Sequence, residues 1–196
     1  WDPHEPGHQG YNWRPCRWHP GHKVFYGVHP KSGYLFVFDP ANKRHEIINR
    51  ICSEEIRKAG LFEYFRYGYL TIDFAPDDPD MIYYISGFYR FRDDIELTAE
   101  EKLKSKTVGS GGFSRESYEK IRSYLTFVTY HLPTGTYKDH GVIRCEDGRY
   151  PTNTQSIAAH PNGRIYTCPW IEKPDWNEGD GPWQQCDLIS FEISKD

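Results

Sequence analysis

Short runs of apolar and β-branched residues, broken by proline-bearing polar turns, recur along the chain and predict strands rather than helices. One phrase runs from Arg17 to Tyr26, with the turn His19-Pro20-Gly21-His22-Lys23 between two short apolar stretches. It returns from Asp73 to Tyr84, with two more residues in the turn, and again from Ala158 to Tyr166. Proline fixes φ where the chain enters each turn, and Gly or Asp takes the awkward conformation, so each copy predicts a hairpin. A second phrase follows each hairpin: Tyr34 to Lys43, Leu125 to Gly135, and Leu188 to Ile193. In the first two copies a polar residue and a turn lead into a further short stretch, His45 to Ile48 or Tyr137 to His140.

Strand, turn, strand, strand, turn, strand describes a four-stranded antiparallel unit, and it resembles the blade of a β-propeller. Tyr26 to Arg44 reads like the middle two strands of such a blade. The expected fold is therefore all-β: a partial propeller in a single domain, 1–196, with blades over 11–50, 69–145 and 153–194. A β-sandwich built from similar hairpins is the alternative. Closed rings take about four to eight blades, so these three are expected to belong to a larger ring or to one completed by another chain. Ser53 to Gly60, Thr98 to Lys104 and Ser114 to Arg122 carry helix-end signals and predict short helices, the last two within an insertion over 88–122. Another insertion, Pro169 to Gln184, carries Trp170, Trp176 and Trp183.

Composition narrows the function. The formal net charge of −4 over 196 residues gives no basic footprint for nucleic acid. Mean hydropathy is −0.79, and no apolar run approaches the roughly 20 residues of a membrane helix. Aromatic residues make up 16%, too many to leave in water, which disfavours disorder. Five cysteines at no metal-ligand spacing allow two disulfides at most and leave one thiol. The chain starts at Trp1 and its one methionine is Met81, so a removed leader or a longer parent chain is expected. An extracellular or periplasmic location goes with that expectation.

In a propeller the hairpin phrases turn on one face, while the long insertions and inter-blade connections share the other, where binding is expected. His19, His22, His131 and His160 fall in turns and read as structural, whereas His29 follows a second strand and should face the loops. The lead-in and the inter-blade connections each bring an Arg with a Tyr to that mouth: Arg14 with Tyr11, Arg66 with Tyr67, and Arg149 with Tyr150. Arg can neutralise a carboxylate by paired hydrogen bonds, aromatic faces stack on sugars, and Tyr or His can move protons. By residue type and place, this set resembles the active sites of propeller polysaccharide lyases.

The resemblance implies binding, with cleavage, of an acidic oligosaccharide or polysaccharide. Tyr150, Arg149, His29 and Arg66 would be the catalytic group, and Arg14, Tyr67, Trp170 and Trp176 the ligand-binding group. An alternative is a non-catalytic scaffold whose open blades dock neighbouring chains. A third reading resembles sugar lactonases and would need a divalent metal ion held by convergent Asp, Glu and Asn; no sequence motif marks such a site.

Overall fold

The computed structural model describes residues 16–28, 33–51, 71–91, 121–152, 154, 156–175, 177, 182 and 184–193. Among these residues the chain is all-β, built of antiparallel sheets of two to four strands. The first sheet runs in chain order through β1 (Cys16–His19), β2 (Val24–Val28), β3 (Tyr34–Asp39) and β4 (Arg44–Arg50). The second repeats that order with β5 (Thr71–Phe74), β6 (Met81–Phe91), β7 (Ile121–His131) and β8 (Thr136–Val142). The third has β10 (Arg164–Thr167) between β9 (Ala158–Ala159) and β13 (Ile189–Glu192). A separate two-stranded ladder joins β11 (Trp170–Glu172) to β12 (Gln184–Cys186).

All three proline hairpins form where the sequence predicts them, as β1–β2, β5–β6 and β9–β10. Only the third hairpin places a glycine in the awkward conformation as expected; the first uses Lys23 instead of Gly21, and no Asp of the second has positive φ. Lys23 and Gly163, which immediately precede β2 and β10, both have positive φ, as do Lys43 and Gly135 before β4 and β8. These turns end in the left-handed region, which glycine enters freely and lysine only at a cost.

The expected insertion over 88–122 is shorter than its predicted bounds. The β6–β7 ladder continues through Phe88↔Tyr124 to Phe91↔Ile121, so 88–91 and 121–122 are strand. Helix signals near Ile121 and Arg122 are overridden because pairing with β6 satisfies backbone groups that a helix end would leave open. The helices expected at Ser53–Gly60 and Thr98–Lys104, and residues 114–120 of the third, lie outside the described residues. Within the tryptophan-bearing insertion, β11 and β12 pair while Ile171 is buried beneath them. Cys16, Cys145, Cys168 and Cys186 are free thiols, and Cys52 lies outside the described residues.

Register shows which residues share a face. Trp18, Phe25, Phe38 and His45 lie opposite one another across the first sheet. The matching row of the second is Phe74, Ile82, Tyr130 and Tyr137, and that of the third is Ala159, Ile165 and Phe191. We call this side of each sheet its back. The row one residue further along β2, β6 or β10 lies on the front: Tyr26, Val37 and Glu46; Tyr83, Thr129 and Lys138; Tyr166 and Ser190.

The front of sheet one packs on the back of sheet two, where Tyr26, Val28 and Leu35 share a core with Ile72, Ile82, Tyr84, Val128 and Tyr130. The front of sheet two packs on the back of sheet three, where Ile85, Leu125 and Phe127 meet Ile157 and Ile165. First strands adjoin along this stack, β1 with β5 and β5 with β9. Their edge groups are tied across the joins. Arg17 Nε donates to the Ile72 carbonyl at 3.1 Å, and the Ala159 amide donates to Asp73 Oδ2 at 2.9 Å.

Gly27 lies on the back of sheet one between Cys16 and Phe36. A Cβ there would fall 2.4 Å from Phe36 Cζ and 2.8 Å from Cys16 Sγ, inside contact distance. Gly27→Ala should therefore displace the buried Phe36 ring and lower stability by about 1–3 kcal/mol, as overpacked cores do. Urea unfolding measures this, and an unchanged midpoint would refute the packing account.

Candidate functional site

Of the expected site residues, Arg149, Tyr150 and Trp170 are described, whereas Arg14, His29, Arg66, Tyr67 and Trp176 lie outside the described residues. The structure brings Arg149 and Trp170 to the same strand, β11. The Thr152 amide and Oγ1 donate to the Trp170 carbonyl, and Arg149 Nη1 donates to the carbonyl of Glu172. Trp170 itself is exposed.

The remaining Arg149 nitrogens meet Asp147: Nε lies 2.7 Å and Nη2 2.6 Å from Oδ2. Hydrogen bonds from Arg149 hold the Asp147 carboxyl below its usual range, and the same pairing raises Arg149 further. This guanidinium already neutralises a carboxylate of its own chain, so a ligand carboxylate would have to displace Asp147. Tyr150 is fixed differently. Its ring stands edge-on to Tyr124 with centroids 5.1 Å apart, and Arg144 lies over it at 5.7 Å. Arg149 and Tyr150 therefore face different partners despite being adjacent in sequence.

At the hairpin end, between sheets one and two, three side chains converge that sequence reading assigns to turns. His19 is 3% exposed and stacks on His22 with centroids 4.0 Å apart. Asp80 Oδ1 lies 3.3 Å from His19 Nε2 and 3.1 Å from His22 Nε2, in neither case with hydrogen-bond geometry. The spacing of the three atoms would suit a cation, but the surrounding bonds argue otherwise. The His22 amide donates to His19 Nδ1 at 3.0 Å, so Nδ1 carries no proton. His19 Nε2 must then carry it, and donates it to the Pro79 carbonyl at 3.0 Å. A metal on Nε2 would require an imidazolate, which leaves His22 and Asp80 as too few ligands for a protein metal site.

The arrangement serves instead as a clasp joining the hairpins of neighbouring sheets. Tyr26 belongs to it, with its hydroxyl 2.9 Å from His22 Nδ1. Burial, and next the charge of Asp80, raise the Tyr26 pKa and keep that phenol protonated. The third hairpin repeats half of the device. The Asn162 amide donates to His160 Nδ1 at 3.1 Å, and Asn162 Nδ2 donates to the Tyr166 hydroxyl at 3.0 Å. The signal was present in the sequence as His-Pro at 19–20 and 160–161 with Tyr26 and Tyr166 beyond. The convergence with Asp80 needed the stacking of two sheets.

A cleft of about 630 Å³ opens at the same end between sheets two and three. Its wall on sheet two is the front row Tyr83, Thr129 and Lys138, with His140 beside it; Pro161 and Ala159 face it from sheet three. Thr129 Oγ1 lies 3.0 Å from His140 Nε2. Burial, then Lys138, lower the His140 pKa against a smaller pull from Asp139. Burial also raises Tyr83, helped by Asp77 and Asp78. The cleft exists because Ala159 stands where the other two sheets place Trp18 and Phe74. No known family profile matches the chain, and neither does any curated protein.

Two outcomes test these geometries. Zinc ions should leave the melting temperature unchanged, since the His19 tautomer blocks ligation; a rise abolished by His22→Ala would overturn the clasp. His140 binds its proton less readily folded than unfolded, so its contribution is full above its unfolded pKa of about 6.5. That contribution is lost as pH falls through this value toward the lower folded one. His140→Gln should flatten the acid side of a melting temperature–pH profile, and an unaltered slope would count against it.

Proposed function

We propose that the chain is part of a β-propeller and binds a small acidic carbohydrate in the cleft between its second and third sheets. The cleft carries this reading. At about 630 Å³ it has the size of a small-ligand site, with room for a sugar unit or two. Lys138 and Arg164 bring positive charge to a lining that also holds Asp77, and a ligand carboxylate would share these cations with the groups they already meet. Thr129, His140 and Tyr83 offer groups for hydroxyls, while Met81, Ile165 and Ile193 provide apolar surface for the sugar's C–H face. His140, with its lowered pKa, enters as a neutral imidazole that can both accept and donate.

The radial arrangement is supported by the repeated front-on-back stacking and by first strands meeting at each join. Lyase-type cleavage would call on Arg149, Tyr150, Arg66 and His29. Because Arg149 is committed to Asp147 and to the Glu172 carbonyl, binding is what the described geometry favours. A carbohydrate ligand fits an extracellular or periplasmic protein, which belongs to the same proposal.

Isothermal titration with a galacturonate oligomer, and with a neutral glucose oligomer of equal length, tests this. The acidic oligomer should bind more tightly. Lys138→Gln should weaken it roughly tenfold, the worth of one charge-assisted hydrogen bond. Ala159→Trp should abolish binding by filling the cleft while the fold persists. Weakening by Arg149→Ala alone would move the site to the opposite end, and equal affinity for both oligomers would refute the acidic specificity.

A further inference from the structure

The back of sheet one is an aromatic face in a position that is covered in every other sheet. Its row contains Trp18, Phe25 and Phe38, which are 44%, 36% and 38% exposed. Trp18 and Phe25 pack edge-on at 5.0 Å. Ile47 lies on the same side, paired with Phe36, and is exposed too. The equivalents of Phe25 are Ile82 and Ile165, at 0% and 1%, and an equivalent of Phe38, Tyr130, is at 4%. Those rows are buried because the front of the preceding sheet lies on them. Sheet one is thus apolar on both sides, with one side paired.

The opposite end of the stack has the complementary lack. Sheet three presents a front with Tyr166 where sheets one and two have Tyr26 and Tyr83, the residues that face the next sheet. Arg164 shares this front and is held by Ser190 Oγ at 2.8 Å and by Glu192. A guanidinium so oriented is attracted to aromatic ring faces. Among the described residues, each chain therefore carries a back on which Trp18, Phe25, Phe38 and Ile47 are exposed, though Phe36 on the same side is buried, and at the other end a front bearing Tyr and Arg.

We infer that two copies of this chain associate head to tail, the front of sheet three of each seated on the aromatic back of sheet one of the other. Two copies bring six stacked sheets, within the about four to eight of closed propeller rings. Both interfaces continue the front-on-back packing inside the chain, and a heterologous contact of this kind forms a ring when its rotation closes. This inference shares the stacked-sheet reading with the proposed function. Its test reads mass and not ligand binding, so either can fail alone.

Sedimentation equilibrium of the full chain should give twice the 23.1 kDa mass of one copy. Phe25→Lys breaks the back and Tyr166→Glu breaks the front, and each variant alone should be monomeric. Mixed together, they retain one intact interface and should form a heterodimer. Trp18→Lys and Ser190→Lys provide a second pair should either of the first fail to fold, which near-ultraviolet circular dichroism would show. A monomeric wild-type chain overturns the inference. So does a dimer lost with Phe25→Lys but kept with Tyr166→Glu, which would mean two aromatic backs pressed together.

Discussion

A β-sheet that is apolar on both faces cannot stand alone in water, and that constraint organises this protein. Burial is worth about 25 cal/mol per Å² of apolar surface, so a row such as Ile72, Tyr84 and Val128 is stable only under another sheet. Tyr26, Val28 and Leu35 supply that cover from sheet one. Leu125, Phe127 and Ile85 place the same demand on sheet three. Because every sheet has a front and a back, satisfying one demand exposes the next, and the stack propagates in one direction.

Packing alone would let sheets slide over one another, and polar contacts at the joins fix their positions. Arg17 reaches the carbonyl of Ile72, and Asp73 accepts the amide of Ala159, so exposed edges of the first strands are answered by side chains of the neighbouring sheet. At the hairpin end the Pro79 carbonyl accepts from the buried His19. Such bonds add about 1 kcal/mol each when made, but leaving their buried partners unsatisfied costs more. Their effect is to penalise any other alignment of the sheets.

The strands were legible because local chemistry and final pairing agree. Pro20, Pro76 and Pro161 mark turns, and the unbroken apolar run Tyr34 to Phe38 marks a strand whose two faces are both used. The end of β6 was not legible, since Phe91 is held by Ile121 across thirty residues, a separation that no local window spans. The candidate site was legible in less measure. Arg149 and Tyr150 are adjacent in sequence, which suggested a common task, yet successive side chains diverge and the two have separate partners. His19 was expected in the turn but closes β1, paired with Val24, and its link to Pro79 depends on sheet stacking. Lys138 and His140 carried no signal at all, being ordinary polar residues on an outer strand until an alanine opened the space above them.

That alanine shows how a repeat acquires a specific site without leaving its fold. Trp18, Phe74 and Ala159 hold the same position in three hairpins, and the smallest of them faces the cleft against the preceding sheet. Across the join, the sheet-two front row ends in Thr129 and Lys138 where the sheet-one row has Val37 and Glu46. One truncation makes the volume, and two exchanges on the facing row make it polar, with Lys138 on one wall and Asp77 on the rim. These changes leave the Ile85, Leu125 and Phe127 core in place, while Ile165 belongs both to that core and to the cleft lining. Stability and recognition therefore meet in one interface, packed on its inner part and open at the hairpin end.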